Sequence, residues 1–175
     1  MKKGPRGFSL IELLIVVAII LIIAAIAIPN LLRSRIAANQ ASAVGSLRTL
    51  NTAEVTYSTT YNTGYSATLS DLGPAAAGQN TPTASYAGLV DEVLSGIMTP
   101  GGTAQTPQTS SKSGYTFVYS PATPDSSQKI DFYSFTASPI SPGTTGTNYY
   151  YTDQSGVIRQ NSTAPAGSSD SPLAG

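Results

Sequence analysis

The sequence predicts an α+β fold, in which one long N-terminal α-helix packs on a small antiparallel β-sheet of about four strands. Three observations predict it. A long apolar run near the N-terminus, residues 8–28, leads into an amphipathic segment, residues 31–63, that contains no proline. The middle of the chain, residues 64–114, is rich in Gly, Pro, Ser, Thr and Ala, which is typical of a long connection. Short runs of strand-forming residues then occupy residues 115–160.

The apolar run, residues 8–28, is long enough to cross a membrane. At about 1.5 Å per residue, a helix of 21 residues spans roughly the hydrocarbon core of a bilayer. We therefore expect residues 8–30 to form a transmembrane stem. Lys2, Lys3 and Arg6 precede the stem and no acidic residue does, so the positive-inside rule predicts that the N-terminus is cytoplasmic.

One acidic residue, Glu12, lies inside the apolar run. A carboxylate within a membrane helix costs about 2.5–3.5 kcal/mol on insertion scales, so it is expected to have a partner. Two interpretations stay open. In the first, Glu12 is stabilised by the helix dipole, because it lies one turn from the helix start. In the second, a cation reaches Glu12 in an assembled state, and an amine made by cutting the chain just before Phe8 would be that cation.

Residues 7–12, GFSLIE, resemble the processing motif of type IV pilins and pseudopilins. The likeness includes a short basic leader, residues 1–7, a glycine before an aromatic residue, an acid four residues after that aromatic, and Pro29 within the stem. The resemblance implies that a membrane-embedded prepilin peptidase cuts after Gly7 and that the new N-terminus, Phe8, is N-methylated.

The same resemblance implies an assembly role for the stem. Glu12 would pair with the Phe8 amine of a neighbouring subunit while the stems bundle into a homo-oligomeric helical filament, and Pro29 would kink the helix. The implied function is that of a type IV pilus subunit serving adhesion, twitching motility or DNA uptake. The precursor would reside in the bacterial inner membrane, with its head outside the cytoplasm, and assembly would need a platform protein and cytoplasmic ATPases.

Three alternatives remain open on sequence alone. A pseudopilin of a type II secretion system has a similar stem. A membrane-anchored binding or enzymatic domain would not polymerise. A conventional secretory signal would be cut near residues 25–27, Ala-Ile-Ala, although its apolar region would then be too long and would contain a carboxylate.

The composition excludes several kinds of chemistry. The chain has no His and no Cys, so the common general base, the thiolate nucleophile, the usual zinc ligands and disulfide bonds are absent. We therefore predict a protein that is not an enzyme and has no cofactor. Asp125, Asp131 and Asp153 could in principle meet at a calcium site, but their spacing fits no calcium loop, so no metal site is predicted.

Charge gives no support for nucleic-acid binding by this subunit alone. The nine basic and nine acidic side chains balance, but removal of residues 1–7 takes away three basic residues and leaves a formal charge of −3. No basic run of the kind that follows a phosphate backbone remains.

The head, residues 31–175, is predicted in more detail. An apolar face on the helix is interrupted by Gln40 and Glu54, and the helix should end near residues 62–64. We expect a short helix at residues 89–94, strands at residues 115–120, 130–137, 148–152 and 156–160, and a flexible tail from residue 161 to residue 175. The helical residues expected to face the sheet are Ile36, Ala43, Leu47, Leu50, Tyr57 and Tyr61.

Overall fold

The computed structural model describes residues 7–75, 81–97 and 108–173. By its internal contacts the chain divides into two compact units, Met1–Arg35 and Ile36–Gly175. The long helix predicted from the sequence is confirmed as α1, Leu10–Tyr61, which has 52 residues. Helix α1 includes Pro29 without interruption, and the kink expected there stays a prediction.

The second unit contains one five-stranded sheet, a simple antiparallel meander in the order β1-β2-β3-β4-β5. This confirms the α+β class, although the sequence predicted about four strands. The strand that was missed, β1, lies in the segment interpreted as a connection, and its residues TSSK include no apolar side chain to mark a buried face. The strands are β1 Thr109–Lys112, β2 Tyr115–Pro121, β3 Tyr133–Pro139, β4 Tyr149–Asp153 and β5 Arg159–Asn161.

The core of the second unit lies between one face of α1 and one face of this sheet. Side chains alternate along β2, where Tyr115, Phe117 and Tyr119 are buried and the residues between them are not. Two more aromatic rings continue the layer on β3, and the rings of Tyr119 and Phe135 have their centroids 4.8 Å apart. From α1 the layer receives Ala43, Leu47, Leu50, Ala53 and Tyr57.

The chain reverses direction directly after α1, inside the segment predicted to cap the helix. Asn62 and Gly64 both have positive φ angles, 54° and 80°. Gly64 lies beside Ile130, and the N–H of Tyr65 donates to the Ile130 carbonyl at 2.8 Å. This hydrogen bond fastens the start of the returning chain to the approach of β3.

The prediction of a short helix at residues 89–94 is wrong, because this segment forms only an irregular turn. The N–H of Ser95 donates to the Asp91 carbonyl at 2.9 Å, but the positive φ of Gly96, 74°, prevents a further turn. Val90 and Leu94 are buried as expected, while Val93 is only half-buried. A turn with two inward side chains meets the same packing need as a short helix would.

The segment predicted as a flexible tail is instead held along the sheet as far as Leu173. Its backbone bonds back to the neighbourhood of β5: Gln160 donates to Ser171 at 3.0 Å and Leu173 donates to Ile158 at 2.8 Å. Between these contacts the side chains of Asn161 and Asp170 bond to each other at 3.0 Å. The tail therefore covers the outer edge of β5.

The two polar residues that were expected to interrupt the apolar face of α1 are accommodated in different ways. Gln40 is half-buried and its side-chain amide lies 2.8 Å from the hydroxyl of Thr147. Glu54 is completely buried and its carboxylate accepts hydrogen bonds from Ser66. Both residues thus lie where α1 packs against the rest of the second unit.

Candidate functional site

The bond that the sequence predicts to be cut joins Gly7 to Phe8, just before α1. Both residues are exposed, and 76% of the Phe8 surface is accessible. A Cβ atom placed on Gly7 would meet no other described atom within 4 Å. Packing among the described residues therefore gives no reason for a glycine at this position.

Glu12 has a partner within its own chain. Its Oε2 accepts a hydrogen bond from the backbone N–H of Ser9 at 2.8 Å. Ser9 directly precedes the first residue of α1, and its carbonyl accepts from Leu13 at 3.3 Å, so Ser9 is the N-cap and Glu12 is the third residue of the helix. This is one half of a capping box, in which an acidic side chain satisfies an N–H that the helix leaves unpaired.

This geometry supports the first of the two interpretations of Glu12 for a single chain. The carboxylate lies at the positive end of the helix dipole and accepts one hydrogen bond, but it remains exposed. The only ion pair among the described side chains joins Lys112 to Asp91 in the second unit. Within the described part of the chain, Glu12 therefore has no cationic partner, and a carboxylate can accept several further hydrogen bonds.

The stem presents apolar side chains on all sides. Within the described first unit every residue except Ala24 is exposed. One helix among the described residues, α1, is long and apolar enough to cross a membrane, and its most apolar window contains no buried residue. A helix that is apolar all round is stable only when lipid or other protein covers it.

The residues predicted to act at the N-terminus lie at different places along the stem. Glu12 lies in the first turn of α1, whereas Phe8 directly follows Gly7 and lies two residues before the helix begins. Pro29 lies far along the same helix and belongs to no cluster with them. Ser9 was not singled out from the sequence, although its spacing from Glu12, S-x-x-E, is the sequence pattern of a capping box.

The described part of the head contains no cluster suited to metal binding. No group of three His, Cys, Asp or Glu side chains is placed to hold a metal ion there. Asp125 is instead engaged by its own loop, because its Oδ1 accepts hydrogen bonds from the backbone N–H groups of Ser127 and Lys129. These hydrogen bonds lower the pKa of the Asp125 carboxyl, so the group is a turn-forming acid.

Comparison with known proteins identifies the N-terminal region. Residues 2–28 match the family model described as the prokaryotic N-terminal methylation motif. The chain is 52% identical over 52 residues to the type IV major pilin protein PilA of Myxococcus xanthus, which covers 30% of this chain and 24% of that protein.

A second relative is the type IV wide pilus major component PilA4 of Thermus thermophilus. It is 62% identical over 37 residues, which is 21% of this chain and 28% of the relative. The similarity thus spans about a quarter of the length of each of these curated relatives. No solved structure matches the chain. The N-terminal region of this chain therefore carries the prokaryotic N-terminal methylation motif and is similar to the N-terminal regions of two type IV pilus proteins.

Proposed function

We propose that this chain is the structural subunit of an extracellular type IV pilus filament. The observation that carries the proposal is the stem, whose apolar side chains from residue 10 to residue 28 have no cover of their own and directly follow the methylation motif. In the precursor, lipid covers this surface. In the filament, the stems of neighbouring copies replace the lipid, so the same residues serve first as an anchor and then as a polymerisation surface.

Cleavage between Gly7 and Phe8 connects these two states. It removes the basic leader and creates a positively charged amine at Phe8, close to Glu12 at the start of α1. We propose that the prepilin peptidase makes this cut and methylates the Phe8 amine. The bond is exposed at the end of the helix, where a membrane enzyme can reach it.

In the assembled filament, Glu12 pairs with the Phe8 amine of a neighbouring subunit. A carboxylate that accepts one N–H in the monomer still has lone pairs for a second, charged donor. The pair forms where stems exclude water and lipid headgroups, so it is stronger than an exposed ion pair. It would also set the axial register between neighbouring stems, because Glu12 is the only acid in the apolar run.

The remaining partners follow from this mechanism. The precursor resides in the inner membrane with Lys2, Lys3 and Arg6 on the cytoplasmic side and the head outside. An inner-membrane platform and its ATPases extract the stem. Pro29 removes one backbone donor from α1, so the helix can bend or unwind there as stems bundle. The filament serves adhesion, twitching motility or DNA uptake, without nucleic-acid binding by this subunit alone.

Two variants of Glu12 separate the pairing role from the capping role. Glu12→Ala removes both the charge and the acceptor for Ser9, whereas Glu12→Gln keeps an acceptor and removes only the charge. We expect both variants to be inserted and cut normally, yet to yield at least about tenfold fewer sheared filaments, the effect of losing roughly 1.4 kcal/mol per contact. The readouts are the N-terminus of the membrane form and the mass of filaments shed from cells.

The exposed head residue Glu92 provides the matched control, since Glu92→Gln removes a carboxylate charge without touching the stem. Normal piliation in the Glu12→Gln variant would show that Glu12 acts only as a helix cap. Wild-type cells that form only short periplasmic filaments would instead favour a secretion pseudopilin.

A further inference from the structure

Glu54 is the only charged side chain in the described part of the protein that is buried, and none of its surface is accessible. It lies on α1 in the second unit, facing the chain that returns after the helix and the first long strand. A buried carboxyl group is costly unless hydrogen bonds or an opposite charge compensate it. Its surroundings therefore decide which protonation state the folded head prefers.

Hydrogen bonds tie Glu54 to two other elements. Its Oε2 accepts from the backbone N–H of Ser66 at 3.0 Å, and its Oε1 lies 2.7 Å from the Ser66 hydroxyl. The Ser66 hydroxyl lies 3.2 Å from the hydroxyl of Tyr119 on β2, which in turn donates to the Ser66 carbonyl at 2.7 Å. The cluster thus joins α1, the returning chain and the sheet.

Counting protons shows that this cluster is complete only when Glu54 is neutral. The three oxygen–oxygen contacts among Glu54, Ser66 and Tyr119 need three hydrogens. Ser66 and Tyr119 supply one each, so with an ionised carboxylate one contact has no hydrogen. A protonated Glu54 supplies the third, because its O–H can donate to Ser66, whose own O–H then turns to Tyr119.

The charged groups around Glu54 also favour its neutral form. The titratable groups that face Glu54 are Tyr57 on α1, Asp71 on the 3₁₀ turn Leu69–Leu72, Tyr119 on β2 and Tyr133 on β3. None of these is a cation. Burial raises the pKa of Glu54, the hydrogen bonds from Ser66 oppose the rise, and the Asp71 carboxylate adds to it.

We propose that Glu54, Ser66 and Tyr119 form a proton-sensitive lock, which holds the returning chain to α1 and the sheet more firmly when Glu54 is neutral. The sign of the effect follows from linkage. Because the pKa of Glu54 is raised in the folded head, its contribution is fully present below the unfolded pKa near 4.5 and is lost as the pH rises through the folded pKa. The cluster therefore contributes more to the stability of the folded head at low pH than at high pH. The lock does not depend on filament formation.

Thermal unfolding of the full-length chain in detergent micelles tests the lock. All ten tyrosines lie between residues 57 and 151, so near-ultraviolet circular dichroism reports on the head and not on the stem. Glu54→Gln fixes a neutral side chain of the same shape. From about pH 5 to about pH 8 we expect the Tm of the wild type to fall by about 2–4 °C relative to this variant.

Glu92→Gln is the matched control, because Glu92 is exposed and the change also removes one carboxylate; its Tm should follow the wild type at every pH. Asp71→Asn should reduce the pH-dependent difference without abolishing it, since Asp71 only adds to the field at Glu54. A Tm difference between the wild type and Glu54→Gln that is the same at every pH would overturn the proposal.

A direct titration keeps the proposal testable if Glu54→Gln does not fold. The chain contains three glutamates, residues 12, 54 and 92, so carboxyl-labelled glutamate gives three carbon NMR signals in the wild type. Glu12→Gln and Glu92→Gln assign them by the signal that each removes. We expect Glu54 to titrate above its unfolded value near 4.5, and a midpoint at or below that value would contradict the lock.

Discussion

Two glycines in the head, Gly64 and Gly156, show that the close approach of another backbone segment can require a glycine where the sequence pattern alone does not indicate it. Gly64 and Gly156 have similar left-handed conformations, with φ angles of 80° and 72°. A Cβ atom on Gly64 would collide with the Ile130 carbonyl oxygen, whereas one on Gly156 would meet nothing within 4 Å. The two glycines therefore separate the cost of the conformation from the cost of crowding.

Alanine substitutions at these two positions should differ clearly in their effect on stability. Gly156→Ala carries only the penalty of the left-handed conformation, about 1–2 kcal/mol of unfolding free energy. Gly64→Ala must also displace the backbone of Ile130 and disturb its bond with Tyr65, so we expect a loss of about 3 kcal/mol or more. Urea unfolding of both variants provides the comparison, and equal losses would mean that the Gly64–Ile130 approach is not tight in solution.

The candidate functional residues differ in how far sequence alone could identify them. Glu12 stands out because it is a charge in an apolar run, and its cap, Ser9, lies at a local spacing that a pattern can reveal. Glu54 appeared only as an interruption of a helical face. Its partners lie 12 residues away across a reversal of the chain and, through Ser66, on a strand 53 residues further along. No local pattern encodes such contacts.

At the level of elements, prediction succeeded where alternation or length was pronounced. Strands β2 and β3 carry alternating buried aromatic side chains, and α1 continues for many turns. The failures have a common cause in short segments. The segment LVDEVL at residues 89–94 suits a helical turn or an irregular one equally well, and β1 has no apolar residue at all. Tertiary contacts decided both cases.

The C-terminal segment is ordered, although its composition predicted a flexible tail. The side chain of Asn161 donates to Asp170 at 3.0 Å and accepts from the backbone N–H groups of Thr163 and Ala164 at 2.9 and 3.2 Å. Asp170 also accepts from the N–H of Gly167 at 2.8 Å. Together the Asn161 and Asp170 side chains close the loop between them without a disulfide bond.

Removal of the Asn161 side chain should release this loop. We expect Asn161→Ala to cost about 1–2 kcal/mol of unfolding free energy and to speed hydrogen exchange at the amide of Leu173, which bonds to Ile158. Ser162→Ala is the matched control, since Ser162 is exposed and makes no side-chain hydrogen bond within the described chain. Unchanged exchange at Leu173 in the Asn161→Ala variant would mean that the loop is held by other contacts.

At the scale of the whole molecule, the two units differ: the first resembles known proteins in sequence, and the second has its own packed core. Known relatives match the N-terminal region, which contains the bond that we propose to be cut, the capped carboxylate of Glu12 and an exposed apolar surface. The head has its own core between α1 and the sheet, and its described part shows no metal cluster. In our proposal, the stem decides that the chain polymerises and the head decides what the filament contacts.

In our proposal, cleavage after Gly7 turns a membrane anchor into a filament subunit. Filaments sheared from cells that express the wild-type chain at native levels can be imaged and their main component analysed by mass spectrometry of its N-terminal peptide. We predict long surface filaments whose subunit begins with N-methyl-Phe8. A subunit that begins at Ile28 or retains residues 1–7, or the absence of filaments containing this chain, would contradict it.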